Sequence, residues 1–337
     1  MGPQEDLQVA VIARRYYIEN KTRVEIAEEM GLSRFKVARI LDQAVRSGVV
    51  TITIEPGASV DPERSERLRA AYGLKRAFAV TTDVEDVDQL HTDLARVAAG
   101  LLTEIVTADD VVGFDSGRTV SGLVEHISAF PPCDVVQLSG LTGTVQLNGI
   151  EVLRHINEIS GSAAYALFAP LIVDDAEAAR VLRQQPSIRK TMERYPAVTK
   201  AVVSAGSWNP PESRTFDALS AATRSALIEE GVTAETCALL VDANGLPITS
   251  LDERRLGISM AELRAVPEVI GVAGGPAKAT AIQVLLEAGW FQSLITDTRT
   301  ADRLLAVRQA APRTPTPAAS ARSQLSHTPS RVGAGRG

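Results

Sequence analysis

Cysteine and histidine are scarce in this sequence, and their scarcity excludes several kinds of site. Among 337 residues there are two cysteines and four histidines. Cys133 and Cys237 lie far apart, each beside apolar residues, which favours two buried thiols in a reducing compartment over a disulfide. No group of His, Cys and Asp residues has the spacing of a zinc site. We therefore expect neither a metal nor another cofactor.

Long apolar runs and a general excess of basic residues are also missing. No apolar stretch is long enough to cross a bilayer, and the start, MGPQEDLQ, lacks the segments of a signal peptide, so we expect a cytoplasmic protein. The net charge of −6 argues against a surface that is basic throughout, and any contact with nucleic acid must be local. The length suggests two domains, and the 45% of hydrophobic residues is ample for a sizeable core.

The stretch over residues 23–50, RVEIAEEMGLSRFKVARILDQAVRSGVV, predicts two short helices separated by a turn at Gly31. Thr22 and Ser33 are the expected N-caps. The apolar residues that recur at helical spacing are Val24, Ile26, Ala27 and Met30 in the first helix and Val37, Ile40, Leu41, Ala44 and Val45 in the second. A helix over residues 7–20 supports them, with Leu7 and Ile18 on its apolar stripe, and VVTITI alternates like the strand of a wing. Together these features indicate a winged helix-turn-helix.

The outward face of the second helix is basic. The residues expected to contact DNA lie on or near its first turns, and they are Ser33, Arg34, Lys36 and Arg39. A recognition helix uses such positions on base edges and phosphates in the major groove. An ordinary solvated helix, or a module that binds no nucleic acid, accounts less well for caps, apolar stripe, basic face and wing together. We therefore predict binding to a double-stranded DNA operator.

After the break EPGASVDP, strands and helices alternate, which is typical of an α/β fold. We predict a helix over residues 63–72, a strand over 76–81 and a helix over 90–106. Four apolar runs then end in loops of small residues: VVGFDSGRT, VVQLSGLTG, AVVSAGSW and VIGVAGGPAK. Ligands of open α/β sheets bind at the carboxyl ends of strands. Further on, Asn244-Gly245 predicts a two-residue hairpin turn.

These patterns divide the chain into four parts. Residues 1–55 form the predicted winged helix-turn-helix domain, 56–62 a linker, and 63–308 an effector-binding domain. Residues 309–337 contain no acidic residue and are rich in Ala, Pro, Ser, Thr, Gly and Arg. Such a composition buries too little apolar surface to fold, so we predict a disordered basic tail.

Two of the strand-to-helix loops combine glycine with a cation. Gly117 precedes Arg118 and Thr119 where a helix is expected to begin, and a pair of glycines precedes Pro276 and Lys278. Free amides at a helix start together with a cation suit a phosphate. One glycine-rich turn more often reflects tight strand–helix packing, but two such loops favour an anionic ligand.

Six segments in fixed order resemble the SorC-type bacterial sugar-responsive transcription regulators over about residues 7–305: GLSRFKVARIL, VVGFDSGRTV, VVQLSGLTG, FAPLIV, VIGVAGGPAKATAI and LITDTRTADRLL. The resemblance implies a winged helix-turn-helix and an α/β effector domain of NagB/RpiA/CoA-transferase-like fold. It also implies a phosphorylated sugar effector and a homodimer or homotetramer. The effector-binding residues that it implies are Gly117, Arg118, Thr119, Gln137, Gly140, Gly274, Gly275 and Lys278. The chain departs from the family pattern at Ser116, at Phe35 and in ETCALLVDANG.

A sugar-phosphate isomerase or deaminase with an attached DNA-binding domain is the alternative. It needs a general acid or base. The histidines of the chain are His91, His126, His155 and His327, and none of them lies in the four loops. Asp115 and Asp297 do follow strands and could be bases, but Asp115 is also explained as a cap of the following helix and Asp297 as a cap or a turn. Trp208 and Trp290 could stack on a sugar, although core packing is favoured for both. We therefore predict a regulator without catalytic residues.

Overall fold

The computed structural model describes residues 2–51, 60–142 and 149–310, and the chain divides into two compact units, Met1–Gly57 and Ala58–Gly337. Each unit is described by itself. The described part of the first contains the helices α1 (Pro3–Tyr17), α2 (Arg23–Met30) and α3 (Arg34–Arg46). No helix among the described residues is both long and apolar enough to cross a membrane.

The turn between α2 and α3 forms as the sequence predicts. The Thr22 hydroxyl accepts a hydrogen bond from the Glu25 amide, and the Glu25 carboxylate accepts one from the Thr22 amide, which completes a capping box. Gly31 ends α2 with a φ of 64°, where a residue without Cβ is favoured. The Ser33 hydroxyl then accepts a hydrogen bond of 3.2 Å from the Lys36 amide and starts α3. Both predicted caps are confirmed.

The apolar stripes of the first unit were predicted only in part. Its buried core consists of Val9, Ile12, Ala13, Ile26, Ala27, Val37, Ile40, Leu41 and Ala44. Leu7, Ile18, Val24 and Val45 are instead exposed. Because α1 ends at Tyr17, Ile18 falls beyond the helix, and the stripe that packs runs through Val9 and its neighbours three and four residues on. Residues 49–51 lie in no strand, and residues 52–54 of the proposed wing lie outside the described residues.

The second unit contains most of the secondary structure. Its strands are β1 (Val60–Asp61), β2 (Arg76–Val80), β3 (Val111–Phe114), β4 (Asp134–Gln137), β5 (Ala164–Tyr165), β6 (Lys200–Val203), β7 (Gly206–Trp208), β8 (Pro211–Glu212), β9 (Ala234–Thr236), β10 (Leu239–Val241), β11 (Pro247–Ile248), β12 (Glu268–Val272) and β13 (Ser293–Asp297). Its helices are α4 (Pro62–Tyr72), α5 (Val87–Ile105), α6 (Arg118–Ser121), α7 (Ile150–Ser160), α8 (Ala176–Arg183), α9 (Pro186–Met192), α10 (Arg214–Ala218), α11 (Ala221–Glu229), α12 (Met260–Ala265), α13 (Ala279–Glu287) and α14 (Thr298–Ala310).

The described strands form two sheets. The larger has the order β1-β2-β13-β12-β6-β3-β4-β5, and all of its pairs are parallel except β1 with β2. The four apolar runs of the sequence form strands, as predicted, and the structure places these strands, β12, β6, β3 and β4, side by side. The smaller sheet is antiparallel, with the order β11-β10-β9-β7-β8.

Helices cover both faces of the larger sheet. Along β6, Ala201 and Val203 pack in one apolar cluster and Val202 packs in another, because successive side chains of a strand point to opposite faces. Helices α4, α13 and α14 contribute to the first cluster, and α5 and α7 to the second. Burial on both faces explains why these strands are continuously apolar. The α/β prediction is therefore confirmed as a doubly wound sheet.

Several predicted boundaries were wrong. The linker predicted over residues 56–62 ends earlier, because Val60–Asp61 pairs with β2 and Pro62 already starts α4, where a missing amide costs no hydrogen bond. The Asn244-Gly245 hairpin joins β10 and β11 as predicted, but its loop is longer than two residues, with the Asp242 amide donating to the Leu246 carbonyl. At the other end α14 continues to residue 310, so residues 309 and 310 are helical. The rest of the predicted tail, residues 311–337, lies outside the described residues.

Candidate functional site

A cavity of about 410 Å³ opens at the carboxyl ends of β3 and β6. The strand order reverses between these strands, since β3 continues to β4 on one side while β6 leads to β12 and β13 on the other. Such a switch point is where open α/β sheets bind ligands. The smaller sheet supplies further parts of the wall. The main lining segments are residues 115–119, 204–206, 211–215 and 235–238, together with Lys278.

Half of the predicted effector-binding residues line this cavity. Gly117, Arg118, Thr119 and Lys278 do so, although the two loops that carry them are about 160 residues apart in sequence. The helix after Gly117 begins at Arg118, has only four residues and continues as a 3-10 turn. A helix this short has little dipole to offer an anion, so the side chains carry the site's positive charge.

Gln137 and Gly140 have structural roles outside the lining. The Gln137 side chain is fully buried, donates to the Ser139 carbonyl at 2.9 Å and accepts from the Leu167 amide at 3.0 Å. A Cβ on Gly140 would lie 2.5 Å from the Pro170 carbonyl oxygen, so only glycine fits there. Both residues hold the loops behind the site together, and neither of them lines the cavity.

The glycine pair before Lys278 is also explained by packing. A Cβ on Gly274 would lie 2.6 Å from Asp297 Oδ2, and Gly275 has a φ of 96°. The Gly275 amide donates to the same Asp297 oxygen at 2.7 Å, and Asp297 also accepts from the amide and hydroxyl of Thr300. Asp297 therefore caps α14 and anchors the loop. Neither glycine lines the cavity.

Lys278 is a half-buried residue that lines the cavity. Among the residues that the structure describes, its ammonium group makes no hydrogen bond and no ion pair. Burial lowers its pKa, Arg118 lowers it further, and the carboxylates of Glu212 and Glu235 act in the opposite direction. A cation that is desolvated without a direct partner favours an anionic ligand beside it.

Arg118 and Thr119 occupy the same end of the cavity. The Arg118 guanidinium approaches Glu212 at 3.5 Å, a loose and exposed ion pair that contributes little stability. The Thr119 hydroxyl shares a hydrogen bond of 2.8 Å with His91 Nδ1 from α5. Burial lowers the pKa of His91 to about 4, and the charges of Arg118 and Lys278 lower it too. His91 is therefore neutral at pH 7.

Asp115 organises the floor of the cavity. Its Oδ1 accepts from the Ser139 hydroxyl at 2.5 Å and from the Ser116 amide at 2.7 Å, while Oδ2 accepts from the Ser204 hydroxyl at 3.0 Å. These bonds join the loops after β3, β4 and β6. The interpretation of Asp115 as a cap of the next helix was wrong, because Gly117 is the N-cap and no side chain bonds there.

Glu235 supplies a buried carboxyl to the cavity wall. It lies on β9, is 5% exposed, and accepts a hydrogen bond from the Ser213 hydroxyl. Burial raises its pKa to about 7, hydrogen bonds from Ser213 and Thr215 partly oppose this, and the charge of Asp115 adds to it. A carboxyl with this pKa exists in both protonation states near neutrality, so it can donate to or accept from a hydroxyl.

Sequence reasoning missed three polar residues of this site. His91 acts through Thr119 from a helix that precedes all four loops, Arg214 lines the cavity and donates to the Thr142 hydroxyl, and Glu235 comes from the second sheet. Only the charge of Glu235 within the otherwise apolar run VTAETCALLV gave a local signal. Trp208 and Trp290 are buried, and Trp208 packs edge-to-face on Phe216, as core packing predicted.

The predicted DNA-binding residues form one exposed end of α3. Ser33 is its N-cap, and the side chains of Arg34, Lys36 and Arg39 are exposed on its first two turns. Val37 and Ile40 point into the core of the unit instead. No group of His, Cys, Asp and Glu side chains in the described residues could hold a metal ion, and both cysteines are buried free thiols.

The fold therefore provides an α/β domain with a cavity at its strand ends, and the first unit contains two capped helices joined by a turn. A family model described as "Putative sugar-binding domain" matches residues 58–306, which is most of the chain. The chain therefore belongs to this family, the SorC-type sugar-binding transcriptional regulators.

Named relatives agree with this family. The transcriptional regulator LsrR of Klebsiella pneumoniae subsp. pneumoniae is 28% identical over 309 residues, 90% of this chain and 94% of that protein. The sorbitol operon regulator of Klebsiella pneumoniae is 26% identical over 315 residues, 90% of this chain and all of that protein. The crystal structure of the full-length SorC regulator from Klebsiella pneumoniae superposes with a TM-score of 0.67 over 88% of this chain and 98% of that one. At 23% identity, that structural match shows the shared fold alone.

Proposed function

We propose that this protein is a DNA-binding regulator of carbohydrate metabolism whose operator binding is switched by a phosphorylated sugar. The observation that carries the ligand half of the proposal is Lys278, a half-buried residue in the cavity lining whose ammonium makes no hydrogen bond to any described residue. A phosphate beside it offsets the cost of burying that charge. Arg118 adds a planar group that can grip two phosphate oxygens.

The remainder of the cavity suits the hydroxyl groups of a sugar. Beyond the cationic end its wall includes the hydroxyls of Ser139, Ser204 and Thr236 and the carboxyl of Glu235. Its volume of about 410 Å³ lies in the usual range for small-ligand pockets. One relative is named for the sorbitol operon, and sorbitol is a sugar alcohol.

The DNA half of the proposal rests on α3. Its exposed Arg34, Lys36 and Arg39 follow a capped turn, the position from which a recognition helix reaches base edges and phosphates. Both named relatives are regulators, and the matches reach about nine-tenths of this chain. We infer that the bound operator is double-stranded DNA and that the protein acts in the cytoplasm.

We further propose that the protein acts as a homodimer or homotetramer. One short recognition helix contacts few base pairs, so operator specificity requires paired half-sites about 34–36 Å apart or a multiple of that distance. A ligand changes operator affinity only if it binds the DNA-competent and incompetent arrangements with different affinities. An assembly of several copies supplies two such arrangements.

An enzyme that isomerises or deaminates a sugar phosphate is the less supported alternative. Asp297 accepts hydrogen bonds from Thr300 and from the Gly275 amide, and both oxygens of Asp115 accept bonds from neighbouring loops. Because these carboxylate oxygens already accept hydrogen bonds that hold loops together, a structural role explains both residues better than a role as general base. Glu235, with its raised pKa, is the group that such an enzyme would use.

A thermal-shift screen tests the proposed ligand class. Wild-type protein is heated with a panel of sugar phosphates, each paired with its unphosphorylated sugar and with inorganic phosphate. A ligand at one hundred times its Kd stabilises the protein by about 2.7 kcal/mol. We expect at least one sugar phosphate to raise the melting temperature while its parent sugar does not. A panel in which unphosphorylated sugars stabilise equally well contradicts the assignment.

A further inference from the structure

Phe35 is an exposed aromatic residue on the first turn of α3. It is the second residue of the helix, and 70% of its surface is accessible to solvent. The described core of the first unit contains the buried apolar residues of α3, from Val37 to Ala44, but not Phe35. The Phe35 ring therefore contributes little to folding of the described part of this unit.

Basic side chains surround the ring. Arg34 and Lys36 are its exposed chain neighbours, and Arg39 lies one turn further along the helix. The Arg34 guanidinium carbon is 5.0 Å from the ring centroid, a cation–π contact that favours one orientation of both groups. A single exposed apolar residue needs no explanation by itself. Phe35, however, lies among basic residues at the start of α3. A partner that contacts this surface should therefore be a polyanion that also presents an apolar group.

Duplex DNA has that combination in its major groove. The 5-methyl group of thymine is the apolar feature presented there, and phenylalanine is among the side chains that contact it. Residues on the first turn of a recognition helix reach base edges, while neighbouring cations hold the phosphates. Arg34, Lys36 and Arg39 complement the phosphate charge, although the whole chain has a net charge of −6.

We propose that Phe35 reads a thymine in the operator by packing its ring against the thymine 5-methyl group. This inference rests on the DNA binding proposed above and adds the chemistry of one base contact. Arg34 then acts as a positioning residue that holds the ring towards the base edge. The alternative is that the Phe35 ring packs against protein, either a second copy of the chain or a segment outside the described residues.

The test removes one methyl group from the DNA and the ring from the protein. Full-length wild-type protein is first used to select binding sites from a random duplex library. Each thymine of the selected site is then replaced by deoxyuridine, which lacks only the 5-methyl group, and Kd is measured by fluorescence anisotropy. We expect the replacement of one particular thymine in each half-site to raise the Kd for DNA about fourfold. This is the effect of no longer burying one methyl-sized group.

Phe35→Ala should bind the thymine-containing site more weakly than wild type by a similar factor. Its Kd should not change when that thymine is replaced by deoxyuridine. Ile18→Ala is the matched control, because Ile18 is 72% exposed but lies outside the helix that reads DNA. This control should keep the wild-type dependence on the methyl group. Phe35→Leu, which keeps an apolar side chain, should retain part of it.

Two results overturn the assignment of Phe35. One is the same deoxyuridine profile for wild type and Phe35→Ala. The other is a lower melting temperature or a changed oligomeric state of Phe35→Ala without DNA, which identifies a protein contact. If wild type enriches no sequence from the library, the proposed DNA binding itself fails. Enrichment with an unchanged methyl profile refutes only the thymine contact.

Discussion

Replacing Glu235 by glutamine should stabilise the protein at alkaline pH and leave its stability at pH 4 nearly unchanged. Glu235 is almost fully buried on β9, and burial raises its pKa to about 7 from a usual value near 4.5. The folded state therefore binds the Glu235 proton more tightly than the unfolded state. Stability from this group is fully present below pH 4.5 and is lost as the pH rises through 7.

The size of the effect follows from the pKa difference. A shift from 4.5 to about 7 corresponds to an upper limit of about 3 kcal/mol, because each pKa unit is about 1.4 kcal/mol. Glutamine has nearly the same shape, keeps an oxygen for the Ser213 hydroxyl and carries no charge to desolvate. In a domain of this size, about 1–3 kcal/mol raises the melting temperature by several degrees.

Urea denaturation at pH 4 and pH 8 measures this difference directly. We expect Glu235→Gln to unfold at higher urea than wild type at pH 8 and at nearly the same urea at pH 4. Glu212→Gln is the matched control in the same cavity. Because Glu212 is exposed, this variant should have the same stability as wild type at both pH values. A Glu235→Gln protein that is equally or less stable than wild type at pH 8 would show that the buried Glu235 carboxylate does not destabilise the folded state.

Three further predictions concern the same sites. His91→Asn should flatten the acid side of the stability curve, because the pKa of His91 is lowered to about 4 and its stability contribution is lost as the pH falls from about 6.5; unchanged acid sensitivity in urea titrations contradicts this. Lys278→Ala should weaken a sugar phosphate found by the screen at least tenfold in calorimetry, since a charge-assisted contact is worth about 1.5–3 kcal/mol; wild-type affinity would place the phosphate elsewhere. Changing Arg34, Lys36 and Arg39 together to alanine should abolish operator shifts in gels while the melting temperature stays unchanged, and a normal shift refutes the assignment of α3.

Local signals predicted the parts of the structure that depend on neighbouring residues. The caps at Thr22 and Ser33 and the turn at Gly31 each involve atoms within a few residues, so composition and spacing were sufficient. The strands β12, β6, β3 and β4 of the larger sheet were equally clear, because burial on both faces leaves continuous apolar runs. Exposure of Val24 and Val45 was missed, since periodicity alone does not say which edge of a stripe meets a neighbour.

The site required long-range information. Lys278 and Arg118 were found because each follows a strand-end glycine. The glycines were assigned to ligand binding, whereas Gly274 makes room for Asp297 from another strand, a close approach that leaves the same sequence signal. His91 and Glu235 were missed because α5 and the second sheet reach the cavity only after folding.

Operator affinity in the presence and absence of ligand tests the central proposal most directly. Operator DNA from the selection is titrated with wild type and with Lys278→Ala by fluorescence anisotropy, with and without a sugar phosphate that stabilises wild type. Couplings of this kind are usually about 1–3 kcal/mol, so we expect the sugar phosphate to change wild-type Kd for DNA by roughly 5- to 150-fold. The Lys278→Ala protein should bind DNA as wild type does without ligand and respond little to the sugar phosphate. An equal response in both proteins, or no response in wild type, contradicts a switch that operates through this cavity.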